Sequence, residues 1–157
     1  MAILLVRIDD RLIHGQVTEG WGRILKPDNI AIVSDEIARS GWEKELCLAA
    51  LPDTMEGVVL TVDEAPELIN SLALNGTHSY VLFESPRDAF RVVEKGARIS
   101  ALNVGGMHSE KGKREISDYI YVNDEDIRYL KALAEAGIQL DFRDLPGSDR
   151  VDVLSML

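Results

Sequence analysis

The sequence predicts a doubly wound α/β fold, a mostly parallel seven-stranded sheet with helices on both faces. Three observations predict it. Short apolar, β-branched runs recur from one end of the chain to the other, and segments with helical spacing separate them. Most of the runs are apolar without alternation, as strands covered on both faces are. The 157 residues suit one domain, expected over residues 1–157. A chain of that size buries about two-thirds of its unfolded surface, enough for such a core.

The strands are expected at Ile3–Val6, Ile30–Val33, Val58–Leu60, Tyr80–Phe83, Leu102–Val104 and Tyr119–Val122. The last run, Ile138–Arg143, alternates and reads as an edge strand with one wet face. Between them, Gln16–Leu25 and Glu36–Leu51 have helical spacing that Gly20, Gly22 and Gly41 interrupt. Asp63 precedes a helix bearing Leu68, Ile69 and Leu72, in which Pro66 is tolerated because it lies in the first turn. Ser85 and Pro86 give an N-cap and a first-turn proline to a helix that stops at Gly96. Asn123 with Asp126 three residues on opens a helix that Gly137 closes.

Composition excludes several functions. Lys and Arg number 17 against 27 Asp and Glu, a net charge of −10, which argues against nucleic acid or an anionic membrane as partner. No apolar run approaches the roughly 20 residues that span a bilayer. The opening run reaches Arg7 too soon for a signal peptide, so a cytoplasmic protein is expected. The lone Cys47 excludes an internal disulfide or a CxxC motif and is expected to be a small buried hydrophobe. Trp21 and Trp42 are expected to pack in the core or an interface.

In a sheet of this kind ligands bind beyond the carboxyl ends of the strands. The segments to inspect are therefore Arg7–Gln16, Ser34–Glu36, Glu84–Ser85 and Gly105–His108, whereas Gly76–His78 precedes a strand and belongs to the opposite edge. The first is the densest, with two arginines, two aspartates and a histidine in eight residues before Gly15. An imidazole there can act as nucleophile or base, arginine offers forked donors to phosphate oxygens, and a helix start attracts anions. A carboxylate that accepts one ring N–H leaves the other nitrogen free to attack. These parts suit phosphoryl transfer onto His14, and equally a plainer arrangement in which Asp9 and Arg11 pair and His14 caps the helix. His14, His78 and His108 lack the spacing of a metal site, so neither metal nor cofactor is expected. No GxGxxG, P-loop or GxSxG is present, and a strand-end turn accounts for Gly105–Gly106.

Arg7–Val17, eleven consecutive residues, resembles the active-site segment of the enzyme IIB component of the mannose/fructose/sorbose class of the bacterial phosphoenolpyruvate-dependent sugar phosphotransferase system. Ile32–Glu36, Leu102–His108 with Gly112–Lys113, and Gly137–Leu140 resemble further stretches of that family, so the likeness runs from residue 2 to about 147. The resemblance implies that His14 accepts a phosphoryl group on Nδ1 from a phosphohistidine of a IIA protein. It then passes the group to a sugar held by the membrane subunits IIC and IID, with the protein peripheral to the membrane. Arg11 would contact the transferring group or the donor, Asp9 and Asp10 would orient ring and loop, and Gly15 and Gln16 would support the phosphate. Arg7, Asp35, Ser85, Gly105 and Gly106 would form the rim. With no IIA domain attached, the donor would be a separate chain; a homo-oligomer stays open.

A regulatory phosphohistidine relay without sugar transport is the alternative, and a non-covalent small-molecule binding module is a third class. Loss of His78 or His108 is expected to leave labelling in place, and loss of Arg11 to cost about 0.5 kcal/mol of stability. The docking surface is expected to be a basic island around Arg7, Arg11, Lys111, Lys113 and Arg114.

Overall fold

The structure is a computed structural model that describes residues 3–11, 27–75, 78–142 and 151–157. His14, Gly15, Gln16, Trp21 and the helix expected over 16–25 lie outside the described residues. The elements in order are β1 (Ile3–Asp9), β2 (Asn29–Val33), α1 (Asp35–Arg39), α2 (Gly41–Ala49), β3 (Glu56–Leu60), α3 (Ala65–Asn75) and β4 (Ser79–Phe83). There follow α4 (Pro86–Glu94), β5 (Ala101–Gly106), β6 (Arg114–Ser117), β7 (Ile120–Val122), α5 (Asp124–Glu135), β8 (Gln139–Phe142), β9 (Val151–Asp152) and a 3-10 turn at Val153–Met156.

The main sheet has seven strands in the order β3-β2-β4-β1-β5-β8-β9, parallel except for β9, which runs antiparallel to β8. The expected fold class is therefore present, but the membership of the sheet differs. The run Tyr119–Val122 supplies β7, which pairs with β6 in a separate two-stranded antiparallel sheet. The seventh place goes to β9, two residues too short to carry a periodic signal. Nor is β8 an edge with a wet face: it lies between β5 and β9, and Leu140, Asp141 and Phe142 are all buried.

Local chemistry explains the helices. Ser85 accepts from the backbone N–H of Asp88 at 3.2 Å with Pro86 in the first turn, and Asn123 and Asp126 exchange bonds at 2.8 and 3.1 Å in a capping box. Gly137, at φ +92°, leaves α5 through the left-handed region that a side chain avoids. The single helix expected over Glu36–Leu51 is two, broken at Ser40 and restarting at Gly41.

The sheet buries its two faces against different partners. One holds Val6, Ile8, Val81, Phe83, Val104 and Leu140 beneath Ile69, Val92, Leu130 and Leu133 of α3, α4 and α5. The other holds Leu5, Ile30, Ile32, Tyr80 and Leu82 beneath Ile37, Cys47 and Leu48 of α1 and α2. Cys47 is only half-buried there, and Trp42 is 68% exposed, so it is not a core residue. β1 is central, flanked by β4 and β5, and the chain winds to opposite sides of it. Its carboxyl end is thus the switch point at which such sheets bind ligands.

Candidate functional site

β1 ends in charge rather than in apolar residues, because a row of buried polar side chains crosses the sheet there. Arg7, Asn103 and Asp141 are lateral neighbours on β1, β5 and β8. Arg7 donates to Asn103 Oδ1 at 2.5 Å and to Asp9 Oδ2 at 3.3 Å, and Asn103 donates to Asp141 Oδ2 at 3.3 Å. Arg7 and Asp9 are fully buried, so each charge is held by its partners rather than by water. Arg7 is therefore neither at the rim nor on a docking surface, where the sequence reading put it. It is the internal support of Asp9.

Arg11 closes the arrangement from outside. Its Nε and one terminal nitrogen donate to the two oxygens of Asp9, both at 3.0 Å, and its backbone N–H donates to Oδ1 at 3.1 Å. This is the forked geometry that arginine supplies and lysine does not. The Asp9–Arg11 pair, set against a functional role in the sequence reading, exists and lies at the switch point. With its side chain 29% exposed, Arg11 presents one face to solvent while held by a buried carboxylate. Truncating it leaves that carboxylate short of a partner, so the expected stability cost rises from the small value above to about 1–3 kcal/mol.

Asp10 is held at His108, on the segment after β5. Its Oδ2 accepts from the backbone N–H of His108 at 2.6 Å, and its Oδ1 lies 2.5 Å from His108 Nδ1. Gly105 and Gly106 do not form a strand-end turn; they are the last residues of β5. A Cβ on Gly105 would stand 1.9 Å from Cζ of Arg7, and one on Gly106 would stand 2.8 Å from both Arg11 and Asp9. Both glycines admit the arginines to the strand, a close-approach role.

The other rim residues lie at the carboxyl ends of β2 and β4. Asp35 accepts from the backbone N–H of Val62 at 2.8 Å and from Arg91 at 3.3 Å, and Ser85 caps α4, so both hold structure at this edge. The sequence reading placed Glu84 in a segment to inspect but gave it no role; Ser34 donates to it at 3.0 Å. Glu84 and Arg11 border one groove with Glu36, Trp42, Glu43 and Leu46. Burial pushes the Glu84 carboxyl up, the Ser34 hydroxyl opposes this, and Asp88, Glu36 and Asp10 push it further up. Burial also raises Asp88, against the pull of Arg91. The only early signal was an acid directly after an apolar strand.

The sign of the Glu84 shift gives a prediction. The folded protein holds this proton at a pH where the unfolded chain, titrating near about 4.3, has released it. Its contribution to stability is full below that range and is lost as pH rises through the folded value. Glu84→Gln, which retains an acceptor for Ser34, should raise the urea midpoint near neutral pH. The advantage should vanish in acid; an equal gain at both pH values would refute the shift.

The basic island is smaller than expected. Lys113 pairs with Asp126 at 3.3 Å, with its side chain 12% exposed, and ties the β6 segment to α5. Arg11, Lys111 and Arg114 remain accessible, and Arg11 borders the same groove as Glu36, Glu43 and Glu84. Among the described residues no group of three or more His, Cys, Asp or Glu is placed to hold a metal ion. No described helix is long and apolar enough to cross a membrane.

Comparison with known proteins adds the context. The family described as the sorbose-subfamily IIB component of the PTS system matches residues 3–157. The chain is 34% identical over 157 residues to the PTS system fructose-specific EIIB component of Bacillus subtilis, covering all of this chain and 96% of that one. It is also 34% identical to the mannose-specific EIIAB component of Escherichia coli K12, where it spans about half, 49%, of the longer protein. The crystal structure of the IIBSor domain of the sorbose permease from Klebsiella pneumoniae superposes with a TM-score of 0.90 at 31% identity, over 99% of this chain and 96% of that one.

Proposed function

Because the chain belongs to the sorbose-subfamily IIB components of the sugar phosphotransferase system, which are phosphotransferases, we propose that it is a phosphocarrier that takes a phosphoryl group from phospho-IIA on His14 and delivers it to a sugar. The observation that carries this reading is the Arg7–Asp9–Arg11 chain at the switch point. It fixes a forked, partly exposed guanidinium three residues before His14. Phosphoryl transfer needs little covalent help from the protein; it needs donors held still beside the transferring group and a nucleophile in line.

In the first step the N–P bond of the donor histidine breaks as an N–P bond forms on His14. In the second that bond breaks as the sugar hydroxyl oxygen bonds phosphorus, and the hydroxyl proton passes to the ring nitrogen of His14 that the phosphorus leaves. Arg11 would balance charge on the phosphoryl oxygens, and the buried Asp9–Arg7 pair would hold Arg11 without swinging out itself. Gly15 and Gln16 would support the phosphate from the loop beyond. The acceptor side would be met at the membrane subunits IIC and IID, with the protein itself cytoplasmic and peripheral. The accessible cations Arg11, Lys111 and Arg114 would steer an acidic donor surface.

The test is phosphotransfer in a mixture of phosphoenolpyruvate, the general phosphotransferase proteins and a IIA protein, with and without membranes carrying IIC and IID. Acid-labile phosphate should appear on the chain and be discharged by sugar only when the membranes are present. Arg11→Ala should slow loading by about a hundredfold, as the loss of a transition-state donor does. Arg11→Lys should recover part of that, having charge without the fork. Normal loading by Arg11→Ala would remove this residue from the reaction.

A further inference from the structure

We propose that His108 is a positioning residue for phosphoryl transfer, acting through Asp10 to pin the start of the segment that leads to His14. This rests on the phosphocarrier reading above. Asp10 and His108 lie 98 residues apart, yet the carboxylate of Asp10 meets His108 twice, through the backbone N–H at 2.6 Å and through Nδ1 at 2.5 Å. The Asp10 backbone N–H also donates to the Gly106 carbonyl at 3.1 Å. Oδ2 and the amide of this one loop residue are thus hydrogen-bonded to residues 106–108, and Oδ1 lies against the His108 ring nitrogen in an ion-pair contact. A carboxylate oxygen only accepts, so the contact is favourable when Nδ1 of the ring carries a proton.

The partner side is itself fixed. The Met107 N–H donates to the Tyr119 carbonyl at 2.8 Å, and its carbonyl accepts from the Tyr121 N–H at 3.0 Å. The segment carrying His108 is therefore held between β5 and the β6–β7 hairpin. With the imidazole 60% exposed, the contact adds little to global stability, as exposed ion pairs do. Its effect is local. Asp9 is gripped by Arg7 and Arg11, Asp10 by His108, and the described segment ends at Arg11, three residues before His14. Release of Asp10 would free a residue whose side chain ties the loop to the segment that follows β5. Small displacements of a reacting group cost much in a reaction that depends on alignment.

The test compares single-turnover loading from phospho-IIA for wild type, His108→Ala, His108→Asn, His108→Gln and Asp10→Asn, with urea midpoints measured alongside. Asparagine places an amide near the position of Nδ1 and retains a donor for Asp10; glutamine places it near Nε2. His108→Ala and Asp10→Asn should each load about tenfold more slowly, to the same final stoichiometry and with unchanged midpoints. His108→Asn should return to within about threefold of wild type while His108→Gln stays slow, and the double variant should be no slower than either single one. Loading by His108→Ala at the wild-type rate overturns the proposal. So does rescue by glutamine rather than asparagine, which would put the outer ring nitrogen on the reacting group. Should His108→Ala fail to fold, the asparagine–glutamine comparison decides. A wild-type chain that takes no phosphate overturns the phosphocarrier reading and this proposal with it, whereas a labelled wild type with an equally fast His108→Ala overturns this proposal alone.

Discussion

His14→Ala should carry no acid-labile phosphate after incubation with phosphoenolpyruvate, the general phosphotransferase proteins and phospho-IIA. The effect is all-or-none because the phosphoryl group needs a ring nitrogen to bond, and alanine offers none. The other two histidines have other work or another place. His78 is exposed and precedes β4, where its carbonyl accepts from the N–H groups of Asp28 and Asn29, at the edge of the sheet opposite Arg11. His78→Ala should therefore load at the wild-type rate. His108→Ala should load slowly but completely, which separates a positioning residue from the acceptor. Phosphate that survives the loss of His14 would defeat the phosphocarrier assignment, and mass spectrometry of the labelled peptide would show where it went.

Gly105→Ala should be the most destabilising single change in the described core, by about 3 kcal/mol or more. Its new methyl would stand 1.9 Å from Cζ of Arg7 and 2.3 Å from Nε. A flexible side chain could give way at a surface, but Arg7 is fully buried and bonded to Asn103 and Asp9. Displacing it strips a buried carboxylate of its inner partner and leaves Asn103 without its donor. Gly96→Ala is the matched control: its φ of +106° strains a side chain, but nothing lies within 4 Å of the added carbon. It should lose only about 1 kcal/mol. Urea midpoints measure both, and equal losses would show that Arg7 relocates without cost.

The strands and the caps were readable from residue types at fixed spacing. Ser85-Pro86, Asn123–Asp126 and Gly137 act through bonds within a few residues, and the structure has each of them in place. The apolar runs report burial on two faces, so they located the strands of the parallel sheet. They could not report which sheet a strand joins. Tyr119–Val122 looks like any other run, but it follows β6 closely enough to pair with it instead of entering the main sheet. The two-residue β9 escaped because pairing with β8, not its own pattern, makes it a strand.

At the site, the local sequence determined that charge gathers after β1, with arginine, carboxylate and histidine in the order that resembles the IIB family. What each of those residues does was decided by tertiary structure. Arg7 is two positions from Asp9 and so shares its face of β1, but only Gly105 and Asn103, almost a hundred residues away, make a buried niche for its guanidinium. Asp10 reads as one more loop carboxylate until the fold brings His108, 98 residues away, against it. Lys113 reads as a surface cation until α5 presents Asp126 to it. The division has one cause. Periodicity and capping are set by neighbours in the chain, whereas the burial and pairing of a charge depend on which distant strand lies beside it.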